Sequence, residues 1–301
     1  KAIRRQRQMC IRDSYKYFAA LLLFGSNGIV ASNINLPSYE IVLLRLLLGS
    51  LFLITVFTVS RQRFTFYRNK HTCLYLFISA SAMGASWMLL YEAYQQVGIS
   101  IASLAYYCGP VIVMILSPFL FRETLTWPKI AGFLTVLAGM CLVNLQALDE
   151  GKTIWGLFCG LMSAFMYALM VTANKKAKPE SGLENSLLQL VIGSFIVVAF
   201  VSMQKNFVLS LTTIDWIPVL LLGLLNTGIG CYLYFSSITD LPVQTVAICG
   251  YLEPLSAVVF SVLFLHEVLL PLQMLGAVLI LGGAIFGECF NPEKQQWLQS
   301  K

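Results

Sequence analysis

Ten long blocks of apolar residues run through this chain of 301 residues, and they constrain its fold more than any other feature. A helix rises about 1.5 Å per residue, so it needs about 20 residues to cross a hydrocarbon core of about 30 Å. Backbone polar groups inside a bilayer must be satisfied within the segment, which favours helices. We therefore predict an all-α membrane protein with ten transmembrane helices. The blocks cover residues 17–34, 39–58, 73–95, 99–121, 128–146, 154–173, 186–203, 214–236, 243–265 and 271–288.

The composition agrees with residence in a membrane. Apolar residues make up 58% of the chain and charged residues 11%, whereas a soluble domain is about 25% charged. Too little polar surface remains to cover a water-soluble globule, which predicts a multi-pass protein of the cell membrane, either an inner or a plasma membrane. The first block is followed by Asn33, Asn35 and Pro37 and then by another block. This pattern predicts a retained first helix rather than a cleaved signal peptide.

Lysine and arginine residues are distributed unequally between the two sides of the predicted helices. With the N-terminus assigned to the cytoplasm, 17 of them fall on the cytoplasmic side and 2, Lys152 and Lys205, fall outside, while Arg45 lies within a helix. Without residues 1–14 the count is 12 against 2. Cytoplasmic loops carry the excess of positive charge, so both termini are predicted to face the cytoplasm. The net charge of +6 is then a signal of topology and not of nucleic-acid binding.

The chain resembles itself at a constant shift of 144 residues. Each half contains five apolar blocks, an odd number, so the two halves are predicted to enter the membrane in opposite orientations as an inverted 5+5 repeat. Such repeats are typical of secondary transporters, although scaffolds and some channels are also duplicated. The matching pairs include Tyr107 with Tyr251, Pro110 with Pro254, Glu123 with Glu267, Gly132 with Gly276, Gly139 with Gly283, and Gly49-Ser50 with Gly193-Ser194.

Repeated glycines carry a second signal, about helix packing. Glycines at heptad spacing in the last block of each half predict close helix packing, either within the chain or between subunits of a homodimer. The sequence is compatible with a monomer and with a homodimer.

The apolar blocks and the repeat divide the chain into four segments. They are a cytoplasmic N-terminal segment over 1–16, a first five-helix repeat over 17–146, a second over 154–289, and a cytoplasmic tail over 290–301.

Short motifs in both halves resemble the EamA domain of the drug/metabolite transporter superfamily. The second half departs from the family's aromatic-Gly-Ser start, because Met162-Ser163-Ala164-Phe165 stands there instead. The resemblance implies two tandem domains, a central cavity reached by alternating access, and a transported small molecule such as an amino acid or a related metabolite. It does not define the substrate. The motifs are Gly109-Pro110 with Glu123, Gly132 and Gly139, their counterparts Glu253-Pro254 with Glu267, Gly276 and Gly283, and Phe24-Gly25-Ser26-Asn27 with Arg45.

Glu253 is the candidate of greatest interest, because it lies about ten residues into an apolar block of 23 residues and directly before Pro254. A charged side chain near the middle of a bilayer is costly and needs a reason. A carboxylate beside a broken helix can bind a cation, a substrate amine or a proton as coupling ion. The alternative is a structural acid that is hydrogen-bonded to a neighbouring helix.

Tyrosines one turn before each repeated proline are candidates for the wall of a central cavity. Tyr107 precedes Pro110, and Tyr251 precedes Pro254. A tyrosine ring can stack on a substrate while its hydroxyl forms a hydrogen bond. The alternative is ordinary packing around a kinked helix.

Two further groups of side chains are candidates for contact with the substrate. Trp87, Tyr91 and Tyr94 fall on one face of the third predicted helix, either as an aromatic wall or as a belt at the membrane interface. Asn27 and Asn226 are polar groups in the middle of helices. They contact the substrate in one interpretation, and they form interhelical hydrogen bonds in the other.

Three charged residues lie near the outer ends of their predicted helices. Arg45 is predicted to form an ion pair with Glu92 or Glu40, because pairing lowers the cost of desolvating a charge. A structural pair, or snorkelling of these side chains at the membrane interface, is one interpretation, and an outer gate is the other. Glu123 and Glu267 lie at helix ends, where acids satisfy exposed amide groups, so both are predicted to be structural.

No motif of an enzyme, a cofactor site or a metal site is evident. The chain contains 8 cysteines without a C-x-x-C pair and 2 histidines, neither in a zinc-protease motif. A phosphate-binding loop and a nucleophile elbow are not evident either. The sequence therefore predicts a transporter that uses no cofactor and does not itself hydrolyse ATP. A membrane-embedded enzyme, a channel and a lipid-handling protein are the alternatives.

Overall fold

A computed structural model describes residues 2–34, 36–143, 154–203, 215–265 and 271–289. All regular secondary structure within these ranges is helical, as predicted. A 3₁₀ turn, Phe66–Arg68, and a π-helix, Leu221–Ile229, accompany the α-helices. The α-helices are α1 (Ala2–Gly25), α2 (Asn27–Ser32), α3 (Ser38–Val59), α4 (Lys70–Tyr106), α5 (Gly109–Phe121), α6 (Trp127–Val143), α7 (Ile154–Ala177), α8 (Gly182–Met203), α9 (Trp216–Leu220), α10 (Gly230–Ser237), α11 (Val243–Gly250), α12 (Leu252–Leu265) and α13 (Pro271–Cys289).

Six segments of the described chain are long and apolar enough to cross a membrane, and three shorter apolar helices accompany them. Large apolar side chains such as Leu51, Phe119 and Phe195 are exposed on the outside of the molecule, where lipid tails can cover them. The protein is therefore a multi-pass membrane protein. The six segments are Tyr39–Val59, Lys70–Val97, Ile154–Ala177, Gly182–Met203, Trp216–Ser237 and Val243–Phe264, and the shorter ones are Gly109–Phe121, Trp127–Leu142 and Met274–Gly287.

One predicted helix boundary is wrong. The residues of the predicted N-terminal segment that the structure describes, 2–16, are helical and continue into the rest of α1, and the predicted tail over 290–301 lies outside the described residues. Helix α4 continues through Gly98, where a break between two blocks was expected, and ends at Tyr106. The residue 144 positions further on is Pro242, and there the chain does break, between α10 and α11. Proline has no backbone N–H and clashes with the preceding helical turn, whereas glycine allows the helix to continue.

Helices from the two halves pack side by side. Helix α4 lies along α7, α3 lies against α8, and α6 lies against α13. The last pair is very close, because a Cβ atom on Gly132 would lie 2.5 Å from the carbonyl oxygen of Gly283, and one on Gly139 would lie 2.6 Å from that of Gly276. The partner numbers fall as the α6 numbers rise, so the two helices are antiparallel. The predicted close packing of these glycines is confirmed within the chain.

Residues that are 144 positions apart meet across the interface between the two halves. The hydroxyl groups of Ser50 in α3 and Ser194 in α8 are 3.0 Å apart. The hydroxyl of Tyr251 donates to the backbone carbonyl of Tyr107 at 2.8 Å. The bounds of α3 and α8 also differ by 144 residues at both ends.

Two carboxylates, one buried (Glu184) and one half-buried (Glu123), join the halves near the ends of the helices. Glu184 in α8 accepts hydrogen bonds from the backbone N–H groups of Thr65 and Phe66, at 2.6 and 2.9 Å, and from the Thr65 hydroxyl at 2.6 Å. Glu123 accepts bonds from the N–H groups of Val243 and Gln244, at 2.9 and 3.1 Å. The structural role predicted for Glu123 is confirmed, although it caps α11 and not the helix that follows it. Its repeat partner at position 267 lies outside the described residues.

Candidate functional site

Three helix breaks create irregular backbone in the middle of the molecule. They lie at Ser26 between α1 and α2, at Tyr107-Cys108 between α4 and α5, and at Tyr251 between α11 and α12. Helix breaks leave backbone groups without intrahelical partners, and the hydroxyl of Tyr251 satisfies one of them, the carbonyl of Tyr107. Tyr251 is only 1% exposed, and Pro110 is buried at the start of α5. Tyr251 and Pro110 are therefore packed into the interior around the breaks, whereas Tyr107 is half-buried.

Glu253 lies in the first turn of α12, within electrostatic range of several tyrosine hydroxyl groups. Its side chain is half-buried. Within the described ranges, no group donates a hydrogen bond to this carboxylate, and no cationic nitrogen lies within 4.0 Å of it. The alternative of a structural acid bonded to a neighbouring helix is therefore not what the structure shows. The tyrosines in electrostatic range are Tyr17, Tyr94, Tyr106, Tyr107 and Tyr167.

Arg45 is held by an aromatic ring and a hydroxyl, and the predicted ion pair with Glu92 or Glu40 is wrong. The guanidinium carbon lies 4.2 Å from the centroid of the Trp87 ring. The Nε group donates to the hydroxyl of Thr227 at 3.1 Å. A guanidinium can be stabilised by the negative face of an indole ring, so it needs no carboxylate neighbour to lie at this depth.

The two acids that were expected to pair with Arg45 have other surroundings. Glu92 accepts hydrogen bonds from Gln96 at 3.1 Å and from the indole N–H of Trp155 at 3.3 Å. Glu40 is buried, and its Oε2 atom has no hydrogen-bond partner among the described residues. Neither acid forms an ion pair with Arg45. Glu92 instead contacts Trp155 at the start of α7.

The aromatic face predicted on α4 divides between two environments. Trp87 covers the guanidinium of Arg45. The rings of Tyr91 and Tyr94 make an edge-to-face contact with centroids 5.3 Å apart, and the Tyr94 hydroxyl accepts a bond from Ser103 at 3.5 Å. Tyr91 also lines a small cavity of about 60 Å³ together with Glu92. The face therefore extends from the centre toward this cavity.

Asn226 connects the π-helix to the first helix break. Its side-chain amide donates to the carbonyl of Leu23 and to the hydroxyl of Ser26, both at 2.8 Å, and to the side-chain oxygen of Asn27 at 3.0 Å. The structure thus shows the interhelical hydrogen bonds that were one of the two alternatives for Asn226 and Asn27. π-Helical turns are frequent at functional sites, and this one also presents Thr227 to Arg45.

Several tyrosines of the centre were missed by the sequence analysis. The ring of Tyr167 lies 5.5 Å from that of Tyr106, and its hydroxyl is 3.2 Å from the hydroxyl of Tyr234. Tyr234 in turn lies 5.6 Å from Tyr17. A signal existed for Tyr167, because it follows Ser163 by four residues and so shares the face of α7 that bonds α4. No comparable signal marked Tyr17.

A family model provides the identification. The model of the EamA-like transporter family matches residues 16–145 and again residues 154–287. The chain belongs to this family. The resemblance found in the sequence motifs is thereby confirmed, and the two matches divide the chain as the repeat does.

Individual relatives of this EamA-like protein carry transporter names. An uncharacterized transporter of Bacillus subtilis, YxxF, is 27% identical over 89% of this chain and 86% of its own length. The threonine/homoserine exporter RhtA of Escherichia coli K12 is 28% identical over 78% of this chain and 77% of its own length. A solved structure recorded only as "Crystal structure of protein" superposes with a TM-score of 0.78 at 17% identity, covering 92% of this chain and 97% of that one. That likeness concerns the fold alone.

The family, the relatives and the apolar helices together define a membrane transporter of the EamA type in the cell membrane, a class of protein that is not enzymatic. Within the described residues, no group of three His, Cys, Asp or Glu side chains lies together in a way that could hold a metal ion. In the part of the chain that the structure describes, the centre of this EamA-like transporter offers the cation of Arg45, the carboxylate of Glu253, hydroxyl groups and aromatic faces.

Proposed function

We propose that this protein is a secondary transporter that carries small organic metabolites, such as amino acids or related compounds, by alternating access. The observation that supports this proposal most directly is the contact between repeat-related residues at the interface of the halves. Ser50 meets Ser194, and Tyr107 meets Tyr251. Two halves that meet through equivalent surfaces can rock against each other into two related packings, one open to each side of the membrane.

The proposed topology has ten transmembrane helices in an inverted 5+5 arrangement, with both termini in the cytoplasm. The antiparallel pair α6–α13 supports it. The contact of Gly132 with Gly283 becomes the contact of Gly276 with Gly139 when each number is shifted by 144. A contact that maps onto itself in this way is expected of two segments related by a two-fold axis. The excess of cytoplasmic lysine and arginine supports the orientation.

The proposed substrate site lies near the middle of the membrane, where Tyr107, Pro110 and Tyr251 surround the helix breaks and Glu253 follows them. Transport is driven by the proton gradient with Glu253 as the proton carrier, or it is a facilitated exchange. The lack of a protein partner for the Glu253 carboxylate supports a role in binding a proton or a substrate.

Transport by purified protein in liposomes tests this function. The panel contains amino acids, nucleosides, sugars, polyamines and organic cations, and it includes threonine and homoserine because RhtA is named for them. A carrier gives saturable flux and counterflow, in which an internal substrate accelerates entry of a labelled one. Flux that does not saturate and shows no counterflow would indicate a channel and would overturn the proposal.

The proton-coupled mechanism has a separate test, the Glu253→Gln variant. If Glu253 carries the proton, the variant loses uptake driven by a pH gradient but can retain exchange of substrate. Full transport with an unchanged pH dependence would show that coupling through Glu253 is wrong.

A further inference from the structure

Two opposite charges lie in the centre of the molecule without an ion-pair partner. Both charges border the end of α1: Asn226, next to the Arg45 partner Thr227, donates to the first helix break, and Ser256, one turn after Glu253, donates to a backbone carbonyl of α1. The charged atoms of Arg45 and Glu253 are more than 4.0 Å apart, and no ion pair includes either of them within the described ranges. Ionised groups inside a membrane protein normally pair with each other or with a ligand. The separation between this cation and this anion therefore needs an explanation.

Two contacts orient the guanidinium of Arg45, and they involve only its Nε group and one of its faces. Thr227 accepts from its Nε group, and Trp87 covers one of its faces. Arg45 as a whole is buried, but its terminal Nη groups have no acceptor among the described residues and are not fully enclosed by protein. This edge of a guanidinium can present two parallel N–H donors to a carboxylate.

The carboxylate of Glu253 is likewise accessible and unpaired. It also is absent from the fully buried polar atoms without partners, and its side chain is half-buried. Half-buried tyrosines lie within electrostatic range of it, among them Tyr106, Tyr107 and Tyr167. A carboxylate combined with aromatic faces is suited to an organic ammonium group, which is attracted both by the charge and by the ring quadrupoles.

We propose that the site binds a zwitterion, with the substrate's carboxylate on Arg45 and its ammonium group on Glu253. This assignment rests on the proposed transport function and makes it specific. Thr227 and Trp87 act as positioning residues, because they hold the plane of the guanidinium without using its terminal edge. Compounds that carry only one of the two charges leave the other protein charge unpaired, so they bind less tightly.

Chemically matched ligands test the two charged contacts of the substrate, with Arg45 and with Glu253, separately. The probes are L-threonine, L-leucine, L-phenylalanine, L-lysine and L-glutamate. Each is used in three forms: unmodified, as the α-amide, which lacks the α-carboxylate, and as the Nα-acetyl derivative, which lacks the α-ammonium group. Affinity is measured from thermal stabilisation of the detergent-purified protein, and transport from counterflow in liposomes. At least one unmodified amino acid is expected to bind about tenfold or more tightly than both of its derivatives.

Substitutions of Arg45 and of Glu253 should then spare different derivatives of the amino acid. Arg45→Gln weakens the unmodified amino acid by about tenfold or more and leaves the amide unaffected. Glu253→Gln weakens the same amino acid and leaves the N-acetyl derivative unaffected. A structural role of either residue would weaken all three ligands equally. The controls are Arg68→Gln and Glu180→Gln, which remove the same charges from exposed positions.

Three outcomes separate this inference from the proposed function. Equal affinity for an amino acid and its amide, or equal weakening of all three forms by Arg45→Gln, overturns the zwitterion assignment. Counterflow of a sugar or a nucleoside without any response to the fifteen probes also overturns it, while transport stands. If no compound of the wider panel shows counterflow, the transport function itself fails. If Arg45→Gln does not fold, Arg45→Lys keeps the charge but not the planar fork and tests the same contact.

Discussion

Glu184 and Glu253 are both acids inside helices of the C-terminal half, but their surroundings are opposite. Glu184 is 1% exposed and accepts three hydrogen bonds of 2.6 to 2.9 Å from Thr65 and Phe66. Glu253 is half-buried and receives none from the described residues. A buried carboxylate whose oxygens are satisfied stabilises a fold, whereas one that the fold leaves unsatisfied is available for a ligand. The presence of a charge in a helix does not by itself distinguish the two roles.

The repeat makes a second comparison possible. Arg45 and Gln189 occupy equivalent positions, 144 residues apart. Gln189 is fully buried, and its side-chain N–H group donates to the Ser79 hydroxyl at 2.9 Å, much as Arg45 donates to Thr227. Both positions bridge to a neighbouring helix, but only one carries a charge. The equivalent position in the second half carries a neutral amide, so the repeat itself does not require a charge at Arg45.

Removal of Glu184 should give the largest change in stability. Glu184→Ala leaves two backbone N–H groups and one hydroxyl without an acceptor, which is expected to cost about 3 kcal/mol or more. Thermal unfolding in detergent measures this, with Glu180→Ala as the control at an exposed position. An unchanged midpoint would mean that the Glu184 contacts contribute little to the fold.

The second largest effect on stability is expected at one of two neighbouring glycines in α13. A Cβ atom on Gly283 would lie 2.6 Å from the carbonyl oxygen of Gly132, whereas one on Gly282 would meet nothing within 4 Å. Gly283→Ala must push two backbones apart, at a cost of about 1–3 kcal/mol. Gly282→Ala should be neutral or slightly stabilising, because alanine favours helices. Equal unfolding midpoints for the two variants would contradict the close crossing of α6 and α13.

Substitution of Glu253 is expected to lower transport without lowering stability, whereas substitution of Glu184 lowers stability. Glu253→Gln removes no hydrogen bond of the described structure, so the unfolding midpoint is expected to stay constant or rise. Transport of the best zwitterionic substrate should fall about tenfold or more. Both quantities are measured on the same preparation. A variant that unfolds earlier while transporting normally would reverse the roles assigned to the two acids.

The smallest effect is expected from Thr65→Val, which removes one of the three bonds to Glu184. The side-chain donor is lost while both backbone donors remain, so the cost should be about 1 kcal/mol. Combined with Glu184→Ala, the second substitution should add little, because the acceptor is already gone. Fully additive changes in the unfolding midpoint would show that Thr65 stabilises the protein by another route.

The predictions from sequence succeeded where a pattern covered many residues. The apolar blocks predicted a helical membrane protein, and the repeated motifs led to the EamA family. Single partners were harder to predict. Arg45 was expected to meet an acid because ionised groups need compensation, but an indole ring provides it. The helix break expected near Gly98 was wrong, since only its repeat partner Pro242 prevents the helix from continuing.

The sequence by itself determined the helical class, the division into two halves and the family, because these depend on hydrophobic length and on motifs that are read along the chain. It also marked Glu253, since a charge in a long apolar block is visible without a structure. Only the tertiary structure decided which charged groups are satisfied. Whether a carboxylate has donors depends on atoms more than a hundred residues away, as the bond between Glu184 and Thr65 shows. The direction of side chains and the crossing of helices determine such contacts, and neither is written in local sequence.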